Sequence, residues 1–120
     1  MSYDSNNVFA KILRGEIPCA KIYEDEHVLA FKDIRPQAKV HALVIPKGQY
    51  VSAQDFGEKA SETEIAAVQR AISKIARELG IADTGYRLIA NSGAHGHQEV
   101  PHYHVHILGG QPIGKMVHLP

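Results

Sequence analysis

The chain has 120 residues, of which none is tryptophan and only one is cysteine. Neither sign of charge is in excess, because 13 Lys and Arg face 13 Asp and Glu. The lone Cys19 cannot close an intrachain disulfide, so the fold must rest on its core, and a reducing compartment suits it. Balanced charge without a long run of either sign leaves no basic stripe for a polyanion, so nucleic acid is not an expected partner. A small anion held by a few local groups stays possible. No apolar run approaches the roughly 20 residues of a membrane-spanning helix, so no membrane is expected as a partner. The opening "MSYDSNNVFAK" has no basic segment leading into an apolar one, as a secretory signal would. A cytoplasmic location is the expectation. There is no internal repeat, low-complexity tract or linker. The apolar share is 44%, enough for an ordinary core, and the length suits one domain over 1–120.

Short elements follow one another along the chain. Asn6 or Asn7 can cap a short helix with Phe9, Ile12 and Leu13 on its apolar face and Gly15 at its end. "AKIYEDEHVLAFKD" predicts a hairpin, with strands around Lys21–Glu24 and Val28–Lys32. "VHALVIPKG" is rich in β-branched residues and predicts an inner strand. In "SETEIAAVQRAISKIARELG", Ser61 and Glu64 form a capping box, and Gly80 sits at the left-handed C-terminal position. Ile65, Val68, Ile72, Ile75 and Leu79 recur with helical period as one buried stripe. "GYRLIAN" reads as a short strand, and "QPIGKMVHLP" (111–120) as an irregular tail. Hairpin-linked strands with a late helix indicate an α+β domain. The expected sheet is mostly antiparallel, of about five strands, with one long and one short helix.

The stretch "PHYHVHILGG" is the unusual one. Side chains alternate along a strand, so His102, His104 and His106 share one face, with Tyr103, Val105 and Ile107 on the other. Imidazole is a mediocre strand filler, and three in register ask for a chemical reason. One is zinc, with His41 as a possible further ligand. Against it, three same-face residues extend over about 13 Å at ~3.3 Å rise, so the outer pair converge on one ion with difficulty. The other is nucleophilic catalysis. A neutral imidazole can attack phosphorus if its second nitrogen is held by a hydrogen bond, while a neighbouring ring moves the leaving group's proton. That chemistry needs an anion site nearby, and "NSGAHGHQEV" offers small residues whose backbone N–H groups can approach a phosphate.

"HYHVHIL" also matches, at every position, the motif His-φ-His-φ-His-φ-φ of the histidine-triad (HIT) family. "FAKILRGEIP", "LAFKDIRPQA", "HALVIPK", "GYRLIAN" and "HQEVPHYHVHILGG" agree with it in order and spacing, from about Val8 to Gly110. Gly109-Gly110 resembles the branch of histidine-triad nucleotide-binding proteins, the purine nucleoside phosphoramidases. The branch that hydrolyses diadenosine polyphosphates usually has a proline and a basic residue there.

The resemblance implies a HIT-like fold with its core at 8–110, and a homodimer whose sheets join into one. It implies binding of a purine nucleoside monophosphate (AMP or GMP) and hydrolysis of its P–N bond, with no cofactor and no metal. By position, His104 corresponds to the nucleophile. His106 corresponds to the phosphate contact and proton donor, His102 to the orienting group, and His41 to a fourth histidine of the site. Asp33 corresponds to the acceptor for the ribose hydroxyls, and Phe9, Ile17, Phe31 and Ile34 to the clamp on the base. Asn91, His97, Gln98 and Glu99 correspond to contacts along ribose and phosphate. Without the resemblance, the four apolar residues read as core and Asp33 as a turn carboxylate. Glu99 stands where animal members carry a serine. The tail has no tryptophan, which members often have there, and His95 is an extra loop histidine. Two other readings are a nucleotide- or protein-binding module with incidental turnover, and a dinucleoside polyphosphate hydrolase.

Overall fold

The computed structural model describes residues 2–117. Its elements are α1 (Val8–Leu13), β1 (Lys21–Glu24), β2 (Val28–Lys32), β3 (Val40–Pro46), α2 (Ala53–Lys59), α3 (Glu62–Glu78), β4 (Arg87–Ile89) and β5 (Val105–Gly109). The strands form one antiparallel sheet in the order β1-β2-β3-β5-β4. An α+β fold with five strands is therefore what the sequence led us to expect.

Strand alternation divides the sheet into two faces. Val28, Ala30, Ala42, Val44, Val105 and Ile107 meet Val68, Ile72 and Ile75 of α3 and Phe56 of α2. Leu29, Phe31, Leu43 and Ile45 point the other way, onto Phe9 of α1. A six-residue helix is too short to stand alone in water. Here α1 is fixed by burial of Phe9 and by the Asn7 cap, whose Oδ1 accepts from Ala10 N–H at 2.9 Å. On the far face, α3 has the expected capping box, and Gly80 takes φ 74° just past its end.

Three expectations are corrected. First, α2 is a third helix that the periodicity does not announce, since seven residues with an internal glycine carry no stripe. Its signal is local: Ser52 Oγ caps Asp55 N–H at 3.3 Å, and Val51 and Phe56, both buried, flank the cap as a hydrophobic staple. Second, Ile65 is 40% exposed on a groove that it lines with Leu88 of β4, while Ala71 and Ala76 join the buried stripe.

Third, the histidine row is not wholly strand. Ladder pairing begins at Val105, so His102 and His104 precede it. The chain bends at Pro101, and the N–H groups of His102 and Tyr103 donate to Val100 O and Tyr50 O, each at 2.8 Å. The alternation of faces survives the bend. Tyr103 stacks on Phe56 at 4.8 Å on the helix side, and the rings of His102 and His104 stand edge-on to Phe9 on the other.

Gly109-Gly110 has a local cause. A Cβ at Gly109 would lie 3.0 Å from Ile81 Cδ1, and Gly110 turns the chain at φ 77°. Residues 111–117 form neither helix nor strand. The Arg87 guanidinium holds them by donating to Gly114 O and Lys115 O at 2.6 and 2.9 Å. The remainder of the tail read as irregular, 118–120, lies outside the described residues.

Candidate active site

The pairing of β3 with β5 sets Leu43 opposite His106 and His41 opposite Leu108. His41 and His106 are thus diagonal neighbours on the face that carries Phe9, and His41 Nε2 lies 2.9 Å from His106 Nδ1. The tautomers follow from the partners, because an N–H can only donate and a carbonyl can only accept. Gln37 N–H donates to His41 Nδ1 at 3.0 Å, so the neutral ring carries its proton on Nε2. That Nε2–H donates to His106 Nδ1 and also approaches Asp33 Oδ2 at 3.3 Å. The proton of neutral His106 is therefore on Nε2.

His104 has the opposite arrangement. Its Nδ1–H donates to the main-chain oxygen of His102 at 2.7 Å, which leaves the Nε2 lone pair free. The orienting group is thus the carbonyl of His102 rather than its ring. That ring is fully buried: Nε2–H donates to Pro46 O at 2.8 Å, and Nδ1 accepts from the Tyr3 hydroxyl at 2.6 Å.

Burial keeps the row neutral. It pushes His102 down to about 4, against the pull of the Pro46 carbonyl. His104 is lowered by the same desolvation, with its bond to His102 O opposing. His106 is pushed down to about 4, first by burial and then by the neighbouring His104 and His41, while Asp33 and Glu99 pull upward. A neutral imidazole is the form a nucleophile requires.

Both rings open on a cavity of about 530 Å³, in the range of small-molecule sites. Its apolar wall includes Phe9, Ile17, Phe31 and Ile34; its polar lining includes Asp33, Asn91, His97, Glu99, His104 and His106. Ile34 is 90% exposed at the rim. Asp33 Oδ1 accepts Arg35 N–H at 2.8 Å, and the carboxylate stays at the cavity edge. His97, at φ 57°, sets Nε2 3.2 Å from Glu99 Oε1, both side chains being well exposed.

Not every expected residue faces the cavity. Gln98 braces the loop instead: its Oε1 accepts from Gly93 N–H, and its Nε2 donates to Val51 O and Val100 O. The loop is also a poorer anion cradle than its glycines suggest. The N–H groups of Gly93, His97 and Gln98 are all bonded within it. His41 and His102 lie behind the lining rather than in it. The sequence reading missed Leu43, Val100 and Cys19 as cavity wall. Leu43 had a signal, since it lies two residues from His41 on the same face of an inner strand.

The row itself offers no converging set of metal donors, because both nitrogens of His102 and the Nδ1 of His104 are engaged. Among the described residues, the donors that do converge are those of Asp33, His41 and His106. Its two nitrogens are hydrogen-bonded at 2.9 Å, closer than the roughly 3.4 Å that two 2.0–2.1 Å bonds to tetrahedral zinc would set.

The HIT domain family model matches residues 14–113. A 13.2 kDa HIT-like protein of Azospirillum brasilense is 55% identical over 116 residues, covering 97% of this chain and 95% of its own. The purine nucleoside phosphoramidase of Escherichia coli K12 is 44% identical over 110 residues, 92% of each chain. A histidine triad protein from Clostridium difficile superposes with a TM-score of 0.85 at 43% identity, covering 97% of this chain and all of the other.

Proposed function

The chain belongs to the HIT domain family, and from that premise we propose that it is a nucleotide-binding hydrolase that cleaves the P–N bond of purine nucleoside phosphoramidates. The observation that carries the reading is the complementary pair of ring nitrogens. His104 offers a lone pair at Nε2, His106 offers a proton at Nε2, and the two rings are 5.1 Å apart on one cavity. The 44% identity to a relative named as a purine nucleoside phosphoramidase agrees with it.

In this reading the base lies between Phe9, Ile17, Phe31 and Ile34, and Asp33 accepts from the ribose hydroxyls. Asn91, His97 and Glu99 line the ribose and phosphate, and Gln98 supports them through the loop. His104 Nε2 forms a bond to phosphorus as the P–N bond breaks. The negative charge of the bound phosphate favours a second proton on His106, and the cationic ring gives its Nε2 proton to the departing amine and returns to the neutral form that accepts from His41 at Nδ1. Water then attacks phosphorus, returns a proton to His106, and releases the nucleoside monophosphate and free His104. Every step uses groups this chain supplies.

The acting unit is a single domain over 1–120 working as a homodimer. Its support is the edge strand β4, where Leu88 is 42% exposed beside Ile65 along an apolar groove. A second copy adding its own β4 there would continue the sheet and cover both residues.

The test is release of AMP from adenosine 5′-phosphoramidate in EDTA, by wild type and His104→Ala. Turnover by wild type, with loss of roughly a thousandfold or more in the variant, is the expected result. An inactive wild type that still binds AMP would make this a nucleotide-binding module. Faster turnover of diadenosine polyphosphates would make it a hydrolase of the other branch.

A further inference from the structure

The proposed nucleophile is oriented by a main-chain carbonyl that no strand ladder holds, since His102 lies three residues before β5. Its peptide is tied on one side by Tyr103 N–H, which donates to Tyr50 O at 2.8 Å, and on the other by the side chain of His102 itself. The His102 ring is fully buried and tied at both nitrogens, one to the end of β3 through Pro46 O and one to the N-terminal arm through Tyr3. The Pro46 oxygen can only accept, so His102 Nδ1 is a buried lone pair in need of a donor. The Tyr3 hydroxyl is that donor, at 2.6 Å, and the Tyr3 ring meets the imidazole edge-on with centroids 5.5 Å apart.

We infer that Tyr3 is a positioning residue for the reaction, holding the His102 ring in one tautomer and orientation so that its carbonyl keeps the lone pair of His104 aimed at phosphorus. The chain of bonds is continuous: Tyr3 O–H to His102 Nδ1, His102 Nε2–H to Pro46 O, His104 Nδ1–H to His102 O. Losing the first link leaves a buried acceptor unmet. The ring can then regain a partner only by turning away from Pro46 O, which removes the side-chain tie on this peptide and loosens the carbonyl that His104 Nδ1–H meets. Tyr3 is 99 residues away in sequence and does not line the cavity, so it acts on turnover without touching the nucleotide. The inference rests on His104 being the nucleophile of the proposed hydrolysis.

Tyr3→Phe tests it, because the phenyl ring keeps the edge contact and removes only the hydroxyl. With adenosine 5′-phosphoramidate, kcat should fall by about fivefold to tenfold while KM stays within about twofold. Nitrogen-15 spectra should show His102 Nδ1 losing its hydrogen-bond shift and the His104 Nδ1–H proton exchanging faster with water. A residue that only supported the fold would lower the melting temperature and leave kcat per folded molecule unchanged. An unchanged kcat in an active enzyme, or a His104 Nδ1–H signal indifferent to Tyr3→Phe, overturns the inference. If wild type fails to hydrolyse the phosphoramidate, the function reading fails by itself. The His104 signal then still decides whether Tyr3 orients that ring.

Discussion

The Nε2 of His41 and the Nδ1 of His106 lie 2.9 Å apart across the β3–β5 pair, 65 residues apart in the chain. Because Gln37 N–H occupies the other nitrogen of His41, this contact has a direction, and it leaves His106 with its proton facing the cavity.

Replacing His41 by Phe keeps the ring and removes that direction. His106 loses the donor that keeps its proton on Nε2, and the nearby Asp33 carboxylate can draw that proton to Nδ1, so kcat should fall roughly tenfold or more. KM should change by less than about threefold, as His41 does not line the cavity. Steady-state kinetics on the variant decide this, and a kcat within about threefold of wild type would sink the proton-donor assignment for His106.

Ile34 separates binding from stability. A large apolar side chain that is 90% exposed contributes little to the core, so Ile34→Ala should change the unfolding free energy by less than about 0.5 kcal/mol. If the residue closes on the base, the same change should weaken AMP binding by roughly threefold to tenfold, as about 1 kcal/mol of burial is lost. Calorimetric titration with AMP, beside a urea melt, measures both. An unaltered affinity removes Ile34 from the clamp.

Acid should loosen the protein before its carboxylates titrate. In the native state His102 and His106 are held near 4, against 6.5 when exposed. Below about pH 6.5 the unfolded chain therefore binds protons that the native one refuses, and stability falls as pH drops towards 4. For the buried His102 alone this reaches roughly 3 kcal/mol at the end of the window. Glu24, held at about 2 by Lys21 and Lys47, loses its own contribution only below 4.5. Urea midpoints taken at about pH 7, 6 and 5 isolate the histidines, and a flat response would show that the row is not neutral by burial.

Gly109 should be intolerant for a reason unrelated to substrate. Gly109→Ala drives a methyl against Ile81 and should cost about 1–3 kcal/mol. Pairing it with Ile81→Ala, which vacates that space, should make the double variant more stable than the two separate losses added together. Strict additivity would mean that the two side chains do not meet.

The strands and both terminal helix signals were legible because their causes are local. Asn7 caps α1, Ser61 and Glu64 cap α3, and short apolar runs bounded by turn residues mark β2 and β3. The site was legible only in part. The row announces itself, since three imidazoles at spacing two are costly to place without purpose. The direction of each ring is not local: it depends on Gln37 for His41, on Pro46 and Tyr3 for His102, and on a main-chain oxygen for His104. No side-chain type signals those contacts. Gln98 shows the converse, a residue whose place in the motif suggested substrate but whose amide is fully occupied in closing a loop.

The pairing of β3 with β5 also limits how this chain can change length. Adding or deleting one residue between His41 and Pro46, or between Val105 and Gly109, would turn every side chain beyond it to the opposite face. An imidazole would then replace an isoleucine under α3, and the cavity would receive the isoleucine. The exposed turn at 83–85, between α3 and β4, carries no such constraint and lies away from the cavity. Insertions that preserve function belong in that turn, and a single-residue indel in either strand amounts to deletion of the site.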